Sequence, residues 1–150
     1  LKPFSMLALE TRIIEIAKRE NLKAVELNDK ERELHVAISK ILHQLGIPSH
    51  IKGYNYIRES VFLFYKNSDS YGGITKEIYP EVALRFSTTA SRVERAIRHA
   101  IEVSWNRGDY DLMEEIFGNS VAFDKAKPTN SEFIASIADR LRYDKKLLQV

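Results

Sequence analysis

The sequence predicts an all-α chain, and three observations carry that prediction. Apolar residues return at helical spacing in each long segment, helix-stopping residues stand where those series end, and only the brief stretch 120–124 has a strand pattern. The first segment, 5–20, sets Leu9, Ile13, Ile16 and Ala17 on a helical period. Residues 21–33 are dense in charge and weak in periodicity, which reads as a linker. Leu34, Ala37, Ile38, Ile41, Leu42 and Leu45 then form one apolar stripe, which Gly46 and Pro48 close. A second helix, 51–66, buries Tyr54, Ile57, Val61, Phe64 and Tyr65, and residues 67–73 form a loop. Helices over 75–86 and 91–105 are separated by Ser87, Thr88, Thr89 and Ala90. A short acidic helix over 109–117 stops at Gly118. After Pro128, either Thr129 or Asn130 caps a last helix with Phe133, Ile134, Ile137, Ala138 and Leu141 inward.

The 150 residues are 44% hydrophobic, which suits one globular domain with a smaller remnant beside it. The expected division is 1–20 as remnant, 21–33 as linker and 34–150 as the main domain. There are no cysteines, so disulfides and thiol catalysis are excluded and a reducing, cytoplasmic setting is expected. The longest apolar run, 61–65, is far below the ~20 residues of a membrane span, and the first residues lack the order of a signal peptide. No membrane partner is expected. The net charge of +2 is modest but unevenly placed. Residues 34–67 hold four basic side chains and one acidic, whereas 105–132 hold three basic and six acidic. One basic and one acidic surface are implied, which suits two kinds of partner.

Two helices joined by a turn of three or four residues are the minimum for a helix-turn-helix. Val82, Ala83, Phe86, Val93, Ala96 and Ile97 stand where such helices would meet, and Ala83 is small enough for a close crossing. Ser87 holds the turn position that often takes glycine. On a helical wheel Val93, Ala96, Ile97, Ala100, Ile101 and Ser104 share one face of 91–105, and Arg95, Arg98, His99 and Glu102 share the other, flanked by Arg92 and Glu94. An arginine fork fits O6 and N7 of guanine, and a glutamate accepts from the N4 amino group of cytosine. Periodicity alone leaves another reading open. The arginines can pair with Glu94 and Glu102 on a solvated face, and Ser91 with Glu94 matches a capping box.

No catalytic constellation appears, so neither an enzyme nor a cofactor is expected. His35, His43, His50 and His99 lack the spacing of a metal site, and His35 and His43 read as surface positions. Trp105 and Tyr54 read as core aromatics. Gly72, Gly73, Thr75 and Lys76 lack the glycine spacing and preceding strand of a P-loop.

Four stretches carry a specific likeness: HIKGYNYIRES, GITKEIYP, TTASRVERAIRHAIEVSW and KAKPTNSEFIA. Together they resemble, over roughly 34–146, the effector domain of the stage-zero sporulation protein A family of response regulators. The opening Leu1, Lys2, Pro3 and Phe4 look like the end of a receiver domain's last strand, which would make 5–20 that receiver's final helix.

The resemblance implies a six-helix effector in a two-component phosphorelay controlling sporulation. It would read a TGTCGAA-like site in the major groove of double-stranded DNA, as a tandem dimer. Arg92, Glu94, Arg95, Arg98 and His99 fall at the base-reading positions, and Thr75, Lys76, Thr89, Ser91 and Lys146 at backbone positions. It implies contact with an RNA polymerase sigma factor through Asp109, Asp111, Glu114 and Glu115, and regulation by the receiver domain. An RNA-binding antitermination module or a protein-interaction output module remains the alternative. The first of these predicts aromatics exposed on one face.

Overall fold

The computed structural model describes residues 3–67, 73–118 and 127–148, and among them there are helices and connections but no strand. The stretch 120–124 lies outside the described residues. By its contacts the chain divides into two units, Leu1–Leu34 and His35–Val150. Helix α1 covers Pro3–Gln44. Residues 21–33, expected as a linker, are therefore helical. The reason is local: no glycine or proline stands between Phe4 and Leu45, and Glu15 with Arg19 and Glu26 with Lys30 take the i, i+4 spacing of helix-supporting pairs. Within the first unit Leu9, Ile13, Ile14, Ile16, Leu22 and Val25 are all exposed.

In the second unit the end of α1 buries Ile38, Ile41 and Leu42. Gly46 stops it with φ of 80°, a left-handed conformation that suits glycine. The Ile47 N–H then donates to the Leu42 carbonyl at 3.0 Å. Helix α2, Lys52–Asn67, packs on two later helices at once. That explains why Val61, Phe62 and Leu63 are all buried although they span more than one helical face. Phe64 and Tyr65, expected inside, are half-buried. The Arg142 guanidinium lies 5.8 Å and 5.3 Å from their ring centres. His35, expected on the surface, is half-buried and stacks on Phe62 at 4.2 Å.

The expected helix 75–86 is two pieces. A wide π turn occupies Ile74–Ile78, and α3 proper is Tyr79–Arg85. Pro80 accounts for the break. It has no N–H to give, and its ring would clash with the Lys76 carbonyl four residues back, so regular helix begins only with Pro80 in the first turn. Helix α3 ends in a Schellman turn: Thr88 N–H donates to Ala83 O at 2.9 Å and Ser87 N–H to Leu84 O at 3.4 Å. Ser87 takes the left-handed position with φ of 53°. Phe86, expected between the two helices, is 39% exposed and instead meets Tyr56 edge-on at 5.2 Å.

Helix α4 is Ala90–Arg107. Its cap is Thr89, whose hydroxyl accepts from Arg92 N–H at 3.3 Å, so the Ser91–Glu94 capping box does not form. Val93, Ile97, Ala100, Ile101 and Ser104 are buried, each apolar one contributing roughly 1–3 kcal/mol. The Ser104 hydroxyl donates to the Leu45 carbonyl at 2.6 Å. Helix α5, Tyr110–Phe117, is capped by Asp109, and Phe117 stacks on Phe133 at 5.0 Å. Trp105, expected in the core, is half-buried at its edge, 5.7 Å from Phe117. Helix α6, Asn130–Leu148, is capped by the Thr129 hydroxyl, which accepts from Glu132 N–H at 3.2 Å. It buries Phe133, Ile134, Ile137, Ala138 and Leu141 as expected.

Candidate nucleic-acid interface

The presentation of α4 is set from behind. Helices α2 and α4 cross so closely at Gly53 that a Cβ there would lie 2.7 Å from the Ala100 Cβ and would collide with the Ala96 carbonyl. Val82 and Ala83 of α3 are buried, and α3 packs on α4. With its inner face held this way, α4 turns Arg92, Arg95, Arg98 and His99 outward, all exposed.

The five expected base-reading residues divide by their partners. Glu94 and Arg98 hold one another at 2.9 Å, an i, i+4 pair with both side chains well exposed. Such a pair is worth only about 0.3–0.5 kcal/mol and yields readily to a competing ligand. Arg92 and Arg95 are different: among the described residues neither side chain forms an ion pair. Both line an open groove with Lys52, Tyr56, Thr88, Ala96 and His99. Lys52 had no assigned role in the sequence; its signals there are the basic excess of 34–67 and its place in the stretch HIKGYNYIRES.

Of the expected backbone-contacting residues, Thr75 and Lys76 are exposed on the π turn and Ser91 is exposed in the first turn of α4. Thr89 is also exposed, with its hydroxyl engaged as the cap. Lys146 belongs to α6, and its side chain lies outside the described residues. The acidic set divides likewise. Asp109 accepts from the N–H groups of Asp111 and Leu112 at 3.0 and 3.4 Å, and Glu115 pairs with Arg140 at 3.0 Å. Asp111 and Glu114 are exposed and have no ion-pair partner among the described residues.

A polar link joins α6 to α4. The Asn130 amide donates to the backbone carbonyl of Glu94 at 3.0 Å, and the Asn130 side chain is hydrogen-bonded to the Tyr79 hydroxyl. Burial pushes the Tyr79 phenol above its ordinary pKa, with the Asn130 bond acting in the opposite sense. Among the described residues there is no cluster of three or more metal-ligating side chains, and no helix long and apolar enough to cross a membrane.

A short helix, a left-handed turn and a longer helix carrying outward arginines form a helix-turn-helix, an arrangement used by DNA-binding transcription regulators. The family match agrees. The family described as Sporulation initiation factor Spo0A C terminal matches residues 38–141, and the chain belongs to it. It is thus an effector domain of the regulators that initiate sporulation.

Proposed function

We propose that α4 enters the major groove and reads a TGTCGAA-like site, with Arg92 and Arg95 as the principal base readers. One observation carries this reading. In the first turns of α4, beside the paired Glu94 and Arg98, these two arginines are exposed, line one groove and have no ion partner among the described residues. Arg98 and Glu94 are held ready as a pair that DNA can separate, and His99 borders the same groove. Thr75, Lys76, Thr89, Ser91 and Lys146 fix the register through phosphates, the role such contacts have in most duplex complexes. The chain pairs in tandem on DNA and is monomeric without it.

Contact with a sigma factor falls to Asp111 and Glu114, because Asp109 and Glu115 are engaged within the chain. Residues 1–20 are the receiver's last helix, 21–33 join it to the effector at 34–150, and phosphorylation within a phosphorelay acts through that receiver in the cytoplasm. The RNA alternative finds no support in the exposed aromatics. Phe86 follows α3, whereas Tyr110 begins α5 and Tyr143 stands on α6.

Fluorescence anisotropy with a TGTCGAA duplex and a scrambled duplex tests the reading. A preference for the site that Arg95→Ala reduces roughly tenfold to a hundredfold is expected. Equal binding of both duplexes would sink it.

A further inference from the structure

We infer that Lys52 holds a phosphate of the DNA backbone beside the bases read by Arg92 and Arg95, so that α2 touches the duplex as well as α4. The inference rests on the proposed reading of DNA by α4 and adds a second element to it.

Lys52 is the first residue of α2 and is exposed. It lines the groove that holds Arg92, Arg95 and His99, and a second opening beside it that holds Asn55, Ser87, Thr88 and Arg92. No carboxylate lines either one. Among the described residues Lys52, Arg92 and Arg95 all lack an ion partner. Three cations gathered without a counter-charge repel one another, and an anion at their centre would relieve that repulsion.

The position of Lys52 is also fixed rather than incidental. Its neighbour Gly53 is buried at a close approach of α2 to α4, and the Ala96 it presses upon is itself part of the groove wall. The backbone of Lys52 therefore has little freedom to move away from the arginine face. Side-chain chemistry then separates the roles. A planar guanidinium matches the paired acceptors of a base edge, while a lysine ammonium on a flexible stem acts as a point charge and suits a phosphate. The contact is thus independent of base sequence.

Titration of the protein, Lys52→Gln and Lys52→Arg against the TGTCGAA and scrambled duplexes at several salt concentrations tests this. A phosphate contact contributes about 0.9 to the slope of log affinity against log salt. Lys52→Gln should therefore weaken binding about eightfold at ~0.1 M salt and about threefold at ~0.3 M, taking ~1 M as the point where the term vanishes. The loss should be equal on both duplexes, and Lys52→Arg should restore most of it. Unchanged affinity and slope in Lys52→Gln, with the site still preferred, would overturn the inference. So would a loss confined to the TGTCGAA duplex, which would make Lys52 a base reader. Failure of the unsubstituted protein to prefer the site would strike the reading of α4 itself and remove the inference with it.

Discussion

Helices α4 and α6 each carry arginines on their outer flank, and they use them in opposite ways. On α6, Arg140 pairs with Glu115 and Asp144, and Arg142 pairs with Asp139 while donating to the carbonyls of Phe64 and Tyr65 at 3.4 and 3.3 Å. Those two side chains are 25% and 33% exposed. They tie α6 to α2 and α5. On α4, Arg92 and Arg95 face outward with no ion partner among the described residues. The same residue type at similar helical positions is structural in one case and available for a ligand in the other. What distinguishes them is the list of atoms each touches, which helical periodicity does not reveal.

The largest expected effect removes the frame both helices share. Gly53→Ala forces a Cβ into the Ala96 carbonyl and should lower stability by about 3 kcal/mol, or the melting temperature by roughly 10 °C, with loss of site binding alongside. Differential scanning calorimetry and anisotropy measure the two losses. A melting temperature unchanged within a degree or so would show that the crossing is looser than its geometry.

A crossed pair of substitutions sharpens the comparison directly. Arg142→Ala removes hydrogen bonds from a charged donor and should cost about 1–2 kcal/mol in urea unfolding while changing site affinity little. Arg95→Ala should do the reverse, weakening binding by about 1–3 kcal/mol with stability intact. If both substitutions acted on the same property, the division between structural and binding arginines would fail.

Two smaller effects concern the unit that presents α4. A non-glycine residue in the left-handed conformation carries about 1–2 kcal/mol of strain, so Ser87→Gly should raise stability by about 0.5–1 kcal/mol after the greater flexibility of the unfolded chain is counted. Destabilisation in urea titration would count against the turn described for Ser87. Tyr79 gives the smallest. Its folded pKa is raised, so its contribution is fully present below the ordinary value of 10.0 and is lost as pH climbs through the folded value. Stability should therefore fall above pH 10.0, and less steeply in Tyr79→Phe. Identical alkaline profiles would remove Tyr79 from that account.

The helices that bury a stripe were legible in the sequence, because the inward residues of α4 and α6 repeat at the spacing a helix imposes. The outward face of α4 was legible for the same reason. Local chemistry was read less well. The charge of 21–33 hid that good helix formers carry α1 through it, and Ser91 looked like a cap because Thr89, two residues earlier, belonged to the expected turn. Pro80 cannot continue a helix begun before it, yet apolar spacing joined 75–86 into one helix where the chain makes a π turn and a short α-helix. The place of Lys52 beside the arginines was not legible because it depends on Gly53, and a glycine at a close approach looks in sequence like any other. The pairing of Glu94 with Arg98 was foreseeable from spacing, whereas the lack of an ion partner for Arg92 and Arg95 among the described residues was not.

The clearance at Gly53 separates what holds the reading helix from what it reads. Positions 53, 96 and 100 act as a gauge that sets the depth of α4, and none of its arginine side chains takes part in that setting. The outer face can therefore be rewritten, one side chain at a time, without moving the helix that carries it. On the proposed reading, substitutions at 92 and 95 would change base preference while the distance between the two backbones stayed the same.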